Sequence, residues 1–190
     1  MTFRFDDVCI NCDIELHNQM TDYLFERFPD CEVIWAVSPA VIGNEGQRVY
    51  PKIFNAFSNF KAFYMIDRIG IPPIHNKVKI ATHGLFHVDH RLLTKEEQII
   101  SILASRSLIE HSIDRRVKYF VPPFNKWNED TEAVCKNYQI ELIKWEGDEP
   151  SDESWMCMEY NKWDTVFRLW YLHAREFTFE TFKAWFENGS

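Results

Sequence analysis

The chain has 190 residues, 46% of them apolar and 16% aromatic, with a formal net charge of −8. That length fits a single domain over residues 1–190, and the apolar share supports a sizeable core, which excludes wholesale disorder. The acidic balance argues against a nucleic-acid partner, and only six glycines exclude collagen-like and flexible low-complexity classes.

Residues 2–8 read as a short strand that ends in the paired acids Asp6-Asp7. Asp13 stands where it would cap a helix over 14–28, in which Leu16, Met20, Leu24 and Phe28 recur at helical spacing. Val33 to Val37 is a short apolar run of the kind found in buried parallel strands. Residues 39–60 show no clear period, and 61–66 read as another strand before a break at Gly70, Pro72 and Pro73. Lys77 to Thr82 alternates as a strand and runs straight into His83.

Thr94-Lys95-Glu96-Glu97 fits a capping box in front of a helix ending near 112. Val117 to Val121 reads as a strand stopped by Pro122-Pro123, and Asn128 as the cap of a helix to 137. Ile140 to Trp145 reads as a strand and the acidic stretch 146–153 as a solvated loop. Thr165 to Leu172 reads as a late strand, and Thr178 caps a final aromatic helix ending near Phe186. Strand–helix alternation predicts an α/β fold with a largely parallel sheet, closed into a barrel.

No stretch reaches the roughly 18 apolar residues of a membrane span. The N-terminus reaches paired acids at positions 6 and 7 and so lacks the apolar core of a secretory signal. The five cysteines therefore read as reduced thiols, and the expected location is cytoplasmic. Cys9-x-x-Cys12 has no second pair to complete a zinc site and is read as neither a metal nor a redox motif.

Four of the seven histidines fall between 75 and 90. His83 and His87 are four apart, so a helical turn after the strand would put both rings on one face, able to share an ion. Neutral imidazoles at that spacing suit zinc, nickel, cobalt or iron. The bland alternative is a set of polar surface histidines. The metal pair is the stronger reading, because Gly84 permits tight backbone geometry and strand ends commonly carry sites. His90 reads as supporting or simply exposed. A cation held by two imidazoles needs an anion, and Asp6-Asp7 supplies one. On a regular strand the two side chains point oppositely, so one would bind while the other serves elsewhere. Paired acids also commonly do no more than cap the next helix.

Phe5-Asp6-Asp7 resembles TFDDG, the first motif of the polysaccharide deacetylases, the family 4 carbohydrate esterases. His83-Gly84-Leu85-Phe86-His87 resembles their HxxxH motif, and Val88-Asp89 to Leu93 its continuation. Phe120-Val121-Pro122-Pro123-Phe124 resembles the third motif, commonly FRPPY, and Leu172-His173 the late Leu-His element. The four stand in family order across residues 5–173.

The resemblance implies an irregular (β/α) barrel of about seven strands. It implies Asp6 as general base, and Asp7, His83 and His87 as ligands of a divalent metal, zinc foremost. It implies backbone N–H groups around Phe124 as oxyanion donors and His173 as general acid for the leaving amine. The implied activity is removal of an N-acetyl group from an amino sugar in cell-surface glycan or O-antigen biosynthesis. That sugar would be free, nucleotide-linked or lipid-linked.

Three departures stand out. Val8 occupies a place usually held by Gly. Val121 replaces the third-motif Arg that orients and charge-pairs the base. No clear fourth motif is present, Trp145 with Glu146 or Asp148 being at best a remnant. Arg175, two residues after His173, is the candidate replacement for the missing guanidinium, against a plain surface arginine. Phe124, Asn125 and Trp127 are candidates for contacting a sugar, against core packing of Trp127. Three rival readings remain: a deformylase of a formamido sugar, a non-catalytic carbohydrate-binding descendant, and an unrelated metallohydrolase with the same Asp/His/His set.

Overall fold

The computed structural model describes residues 1–9, 12–39, 77–144, 155–162, 165–172 and 177–187. The expected strand at 61–66 and the acidic stretch 146–153 lie outside the described residues. The elements are β1 (Thr2–Cys9), α1 (Ile14–Arg27), β2 (Glu32–Ser38), β3 (Val78–Thr82) and α2 (Lys95–Ile113). They continue as β4 (Tyr119–Phe120), α3 (Glu129–Asn137), β5 (Glu141–Leu142), β6 (Trp155–Lys162), β7 (Thr165–Leu172) and α4 (Phe179–Glu187).

The strands form one seven-stranded sheet in the order β5-β4-β3-β2-β1-β7-β6. All neighbours pair parallel except β6 and β7, which pair antiparallel. The α/β class with a largely parallel sheet is as expected. Among the described residues the pairings form one row from β5 to β6, and no pairing joins those ends into a ring.

Register explains the continuous apolar runs. Phe3, Phe5, Val33, Trp35, Val37, Val78 and Ile80 share one face and pack with Met20 and Leu24 of α1 and Phe182 of α4. The opposite face, one residue out of phase, collects Ile34, Ala36, Ala81 and Val121. Arg4 pairs with Ile34 and so belongs to this second face. Both faces are buried, so β1 and β2 show little polar alternation.

The helices start where the sequence places caps. Asp13 accepts from the Leu16 N–H at 2.9 Å. Thr94 and Glu97 close a reciprocal capping box, as do Asn128 and Thr131. Two strands are shorter than expected: 117–121 shrinks to β4 and 140–145 to β5. Pro122 and Pro123 cannot donate to the ladder, which ends β4, and β5 pairs only with that short strand. The sequence reading missed β6, an edge strand whose mixed run Trp-Met-Cys-Met-Glu-Tyr-Asn-Lys lacks a clean period of two. Its pairing with β7, from Trp155↔Leu172 to Lys162↔Thr165, is what makes it a strand.

His17 of α1 is 2% exposed, with its ring 5.7 Å from that of Phe5 and 5.6 Å from that of Trp35. Its Nδ1 bonds the Asp13 carbonyl at 2.7 Å. Burial pushes its pKa below the usual imidazole value despite that bond. The unfolded chain therefore takes up this proton first. The stabilising contribution is complete above about pH 6.5 and is lost as pH falls toward the depressed folded value. Melting temperature should fall on acidification from about pH 7 to 5, and His17→Leu should flatten that slope. Parallel slopes would place the acid sensitivity elsewhere.

Candidate active site

The site forms where β1 departs from regular geometry. Phe5 pairs with Trp35 and Val8 with Val37, so β1 takes three steps where β2 takes two. This is a β-bulge, and Asp7 in it has φ 57°, in the left-handed region. The strict alternation expected for a strand, with Asp6 and Asp7 on opposite sides, is therefore broken. Both carboxylates act on the same imidazole, since His87 feels the charge of Asp7 and of Asp6. They are 4% and 5% exposed.

His83 follows the last residue of β3. Its backbone N–H donates to the Val37 carbonyl at 2.8 Å, and its Nδ1 donates to the Val121 carbonyl at 2.7 Å. Its Nε2 lies 3.5 Å from Asp7 Oδ1. His87 Nε2 lies 2.9 Å from the same oxygen, and the two rings are 5.0 Å apart. The expected helical turn does not bring them together. Residues 83–89 hold no helix, and Gly84, at φ 77°, turns the chain instead. His90 is fully buried rather than exposed, with Nδ1 bonded to the Val88 carbonyl and its ring on that of Phe120.

Burial pushes the Asp7 carboxyl up, but its bonds to His83 and His87 outweigh this and hold it well below the usual carboxylate range. Burial pushes His87 down, Asp7 notwithstanding, and pushes His90 down to about 4. The set is thus a buried carboxylate on which two imidazoles converge. A cation among these atoms would answer the carboxylate's charge. One ligand atom from each of Asp7, His83 and His87 lies within 4.8 Å of the others, so the three can hold a divalent cation. Three protein ligands leave a position open, as catalytic zinc sites do.

Asp6 is held by a residue the sequence reading overlooked. Arg4 is fully buried, and its Nε and Nη2 donate to the two oxygens of Asp6, each at 2.8 Å. Nη2 also donates to Asn125 Oδ1 at 2.8 Å. Both charges are out of water, so removing one partner costs on the order of 3–5 kcal/mol. Arg175, expected to supply this guanidinium, lies outside the described residues, as does His173. The signal for Arg4 was present: an arginine between Phe3 and Phe5 in a buried run needs an anion, and Asp6 is two residues on, on the same face.

Asn125, expected to face a sugar, spends its amide oxygen on Arg4. Phe124 is 42% exposed, and its ring centroid is 4.3 Å from that of His87. Trp127 is half-buried with Lys144 Nζ 5.7 Å above its ring, and Asn128 caps α3. Phe124 and Asn125 both adopt positive φ, at 56° and 53°. Side chains there are strained, a feature that tends to persist where function requires it.

Residues 74–143 match the family model for polysaccharide deacetylase. Over those residues the chain is similar to the polysaccharide deacetylases. The match takes in the His83/His87 pair and the Pro122-Pro123 loop, while Asp6 and Asp7 join them through the sheet. Among solved structures, a family 4 carbohydrate esterase pseudoenzyme from Bacillus anthracis is 14% identical with a TM-score of 0.47, covering 75% of this chain and 43% of that one. A mutant of it with restored enzymatic activity is 14% identical with a TM-score of 0.51, covering 76% and 44%. A family 4 carbohydrate esterase from Streptomyces lividans in complex with acetate is 14% identical with a TM-score of 0.49, covering 77% and 62%. The chain therefore spans less than two thirds of these proteins, and at such identities the likeness is one of fold. No curated protein matches the chain significantly.

Gly84 is a tight backbone position beside this site. A Cβ there would lie 3.0 Å from His90 Cε1 and 3.3 Å from Ser101 Oγ, at a φ that side chains resist. Gly84→Ala should cost about 1–3 kcal/mol of stability in chemical denaturation. An unchanged midpoint and slope would show that the turn accommodates the methyl.

Proposed function

We propose that the chain is a metal-dependent amide hydrolase that removes the N-acetyl group of an amino sugar. The observation carrying this reading is the convergence of Asp7, His83 and His87 beside a second, separately anchored carboxylate, Asp6. Asp7, His83 and His87 would hold the metal, zinc by preference, with nickel, cobalt or iron also suited to the donors. When bound, a divalent ion there supplies Lewis-acid polarisation of the acetamide carbonyl and of the attacking water.

The chain's own residues account for the proton transfers. Asp6, held by Arg4 and not spent on the histidines, accepts the proton of the water. The backbone N–H groups around Phe124 assist the oxyanion. His173 follows Leu172, which pairs with Phe5 one residue before Asp6, and in this reading it protonates the leaving amine. The exposed ring of Phe124 beside His87 offers a stacking face to the sugar, with Trp127 further along the same segment. An intracellular, nucleotide-linked or lipid-linked amino sugar of O-antigen or other surface-glycan synthesis is the proposed substrate class. The sheet is read as part of the family's irregular barrel, formed by one domain over residues 1–190.

A formamido sugar would use the same parts, so the test offers both acyl groups. Zinc-loaded protein, incubated with N-acetyl and N-formyl amino sugars in free, nucleotide-linked and lipid-linked form, should release acetate, and chelation should stop it. Formate release alone would make the chain a deformylase, and bound zinc with no release would make it a binding module. His83→Ala and His87→Ala should each lose most bound zinc by elemental analysis. Full retention in both variants would reject the triad.

A further inference from the structure

Arg4 is a buried cation that the family motifs do not include. Its guanidinium meets Asp6 through two parallel bonds of 2.8 Å and reaches Asn125 with a third. The third motif carries Val121 where that motif usually has Arg, and Val121 is fully buried among Ile34, Ala36 and Ala81. Ile34 is the register partner of Arg4, so both positions belong to the same sheet face.

We propose that Arg4 is the positioning residue for Asp6: the guanidinium that would orient the base from the third motif has moved onto β1 itself. This inference rests on the reading of Asp6 as general base.

The geometry suits the task. A bidentate fork fixes the plane of a carboxylate, which a single ammonium does not. It occupies one lone-pair direction on each oxygen and leaves the others to receive a proton. The strand supplies the fork two residues before the carboxylate, where side chains share a face, so no long-range contact is needed to aim it. Asn125 adds the second anchor. It comes from the loop that carries Phe124, so base and oxyanion loop are joined through one guanidinium. The bulge at Asp6-Asp7 explains why a local support is needed. A carboxylate on irregular backbone has less guidance from the sheet, and a small misplacement of a catalytic group is costly.

The experiment is a mutant cycle on the zinc-loaded full chain with whichever amino-sugar amide the parent hydrolyses. Arg4→Met should lower kcat by about 10²-fold, with KM and zinc content little changed. Arg4→Lys, which keeps the charge but loses the fork, should recover part of the loss. Adding Arg4→Met to Asp6→Asn should cost nothing beyond Asp6→Asn alone, because Arg4 acts through that carboxylate. This double variant carries no unpaired buried charge, so it keeps the test open if Arg4→Met alone fails to fold. Parental kcat in Arg4→Met, or an additive loss in the double variant, would overturn the inference and leave the proposed function standing. Parental turnover in Asp6→Asn would instead overturn the reading of the base, and this inference with it.

Discussion

A strand buried on both faces tolerates charge only where that charge is answered in place, and β1 carries three charged side chains. Arg4, Asp6 and Asp7 are all at most 5% exposed. Arg4 answers Asp6 with a two-bond fork, which leaves the charge of Asp7 to be met by the elements packed beside it. Those elements present His83 and His87, and burial disfavours protonation of His87. A buried carboxylate facing two imidazoles is a receptor for a cation. The electrostatics of one strand thus account for both halves of the site.

A second constraint is the loop that follows β4. The Val121 carbonyl sets the tautomer of His83, Phe124 lies against His87, and Asn125 bonds Arg4. Three residues within a five-residue stretch thereby touch the metal-binding set and the arginine that holds Asp6. Two prolines stiffen the start of that loop, and the two residues after them accept positive φ. The cost of that strain falls where three functional side chains are held in relation to one another.

Much of the architecture was legible in local sequence. Asp13, Thr94 with Glu97, and Asn128 each begin a helix, because caps act within one turn and need no distant partner. The apolar run at 33–37 became β2 for the same local reason. The misses were all non-local. β6 exists through its pairing with β7, and the lengths of β4 and β5 are set by what lies beside them. His90 read as supporting or simply exposed, and it is fully buried, with Gly84 packed close against its ring.

The sequence by itself determined the α/β class, the helix starts and the residue types that could share a cation, since periodicity, capping and donor chemistry are properties of short segments. Tertiary structure alone decided how they are used. The bulge turned Asp7 toward the histidines where a regular strand would have pointed it away from the side of Asp6. The packing of the 121–125 loop over β1 made Asn125 a partner of Arg4. It also gave Asp6 a support that no motif announced. A charge buried in a sheet must find its counter-charge in three dimensions, and which one it finds depends on how the strands are laid side by side.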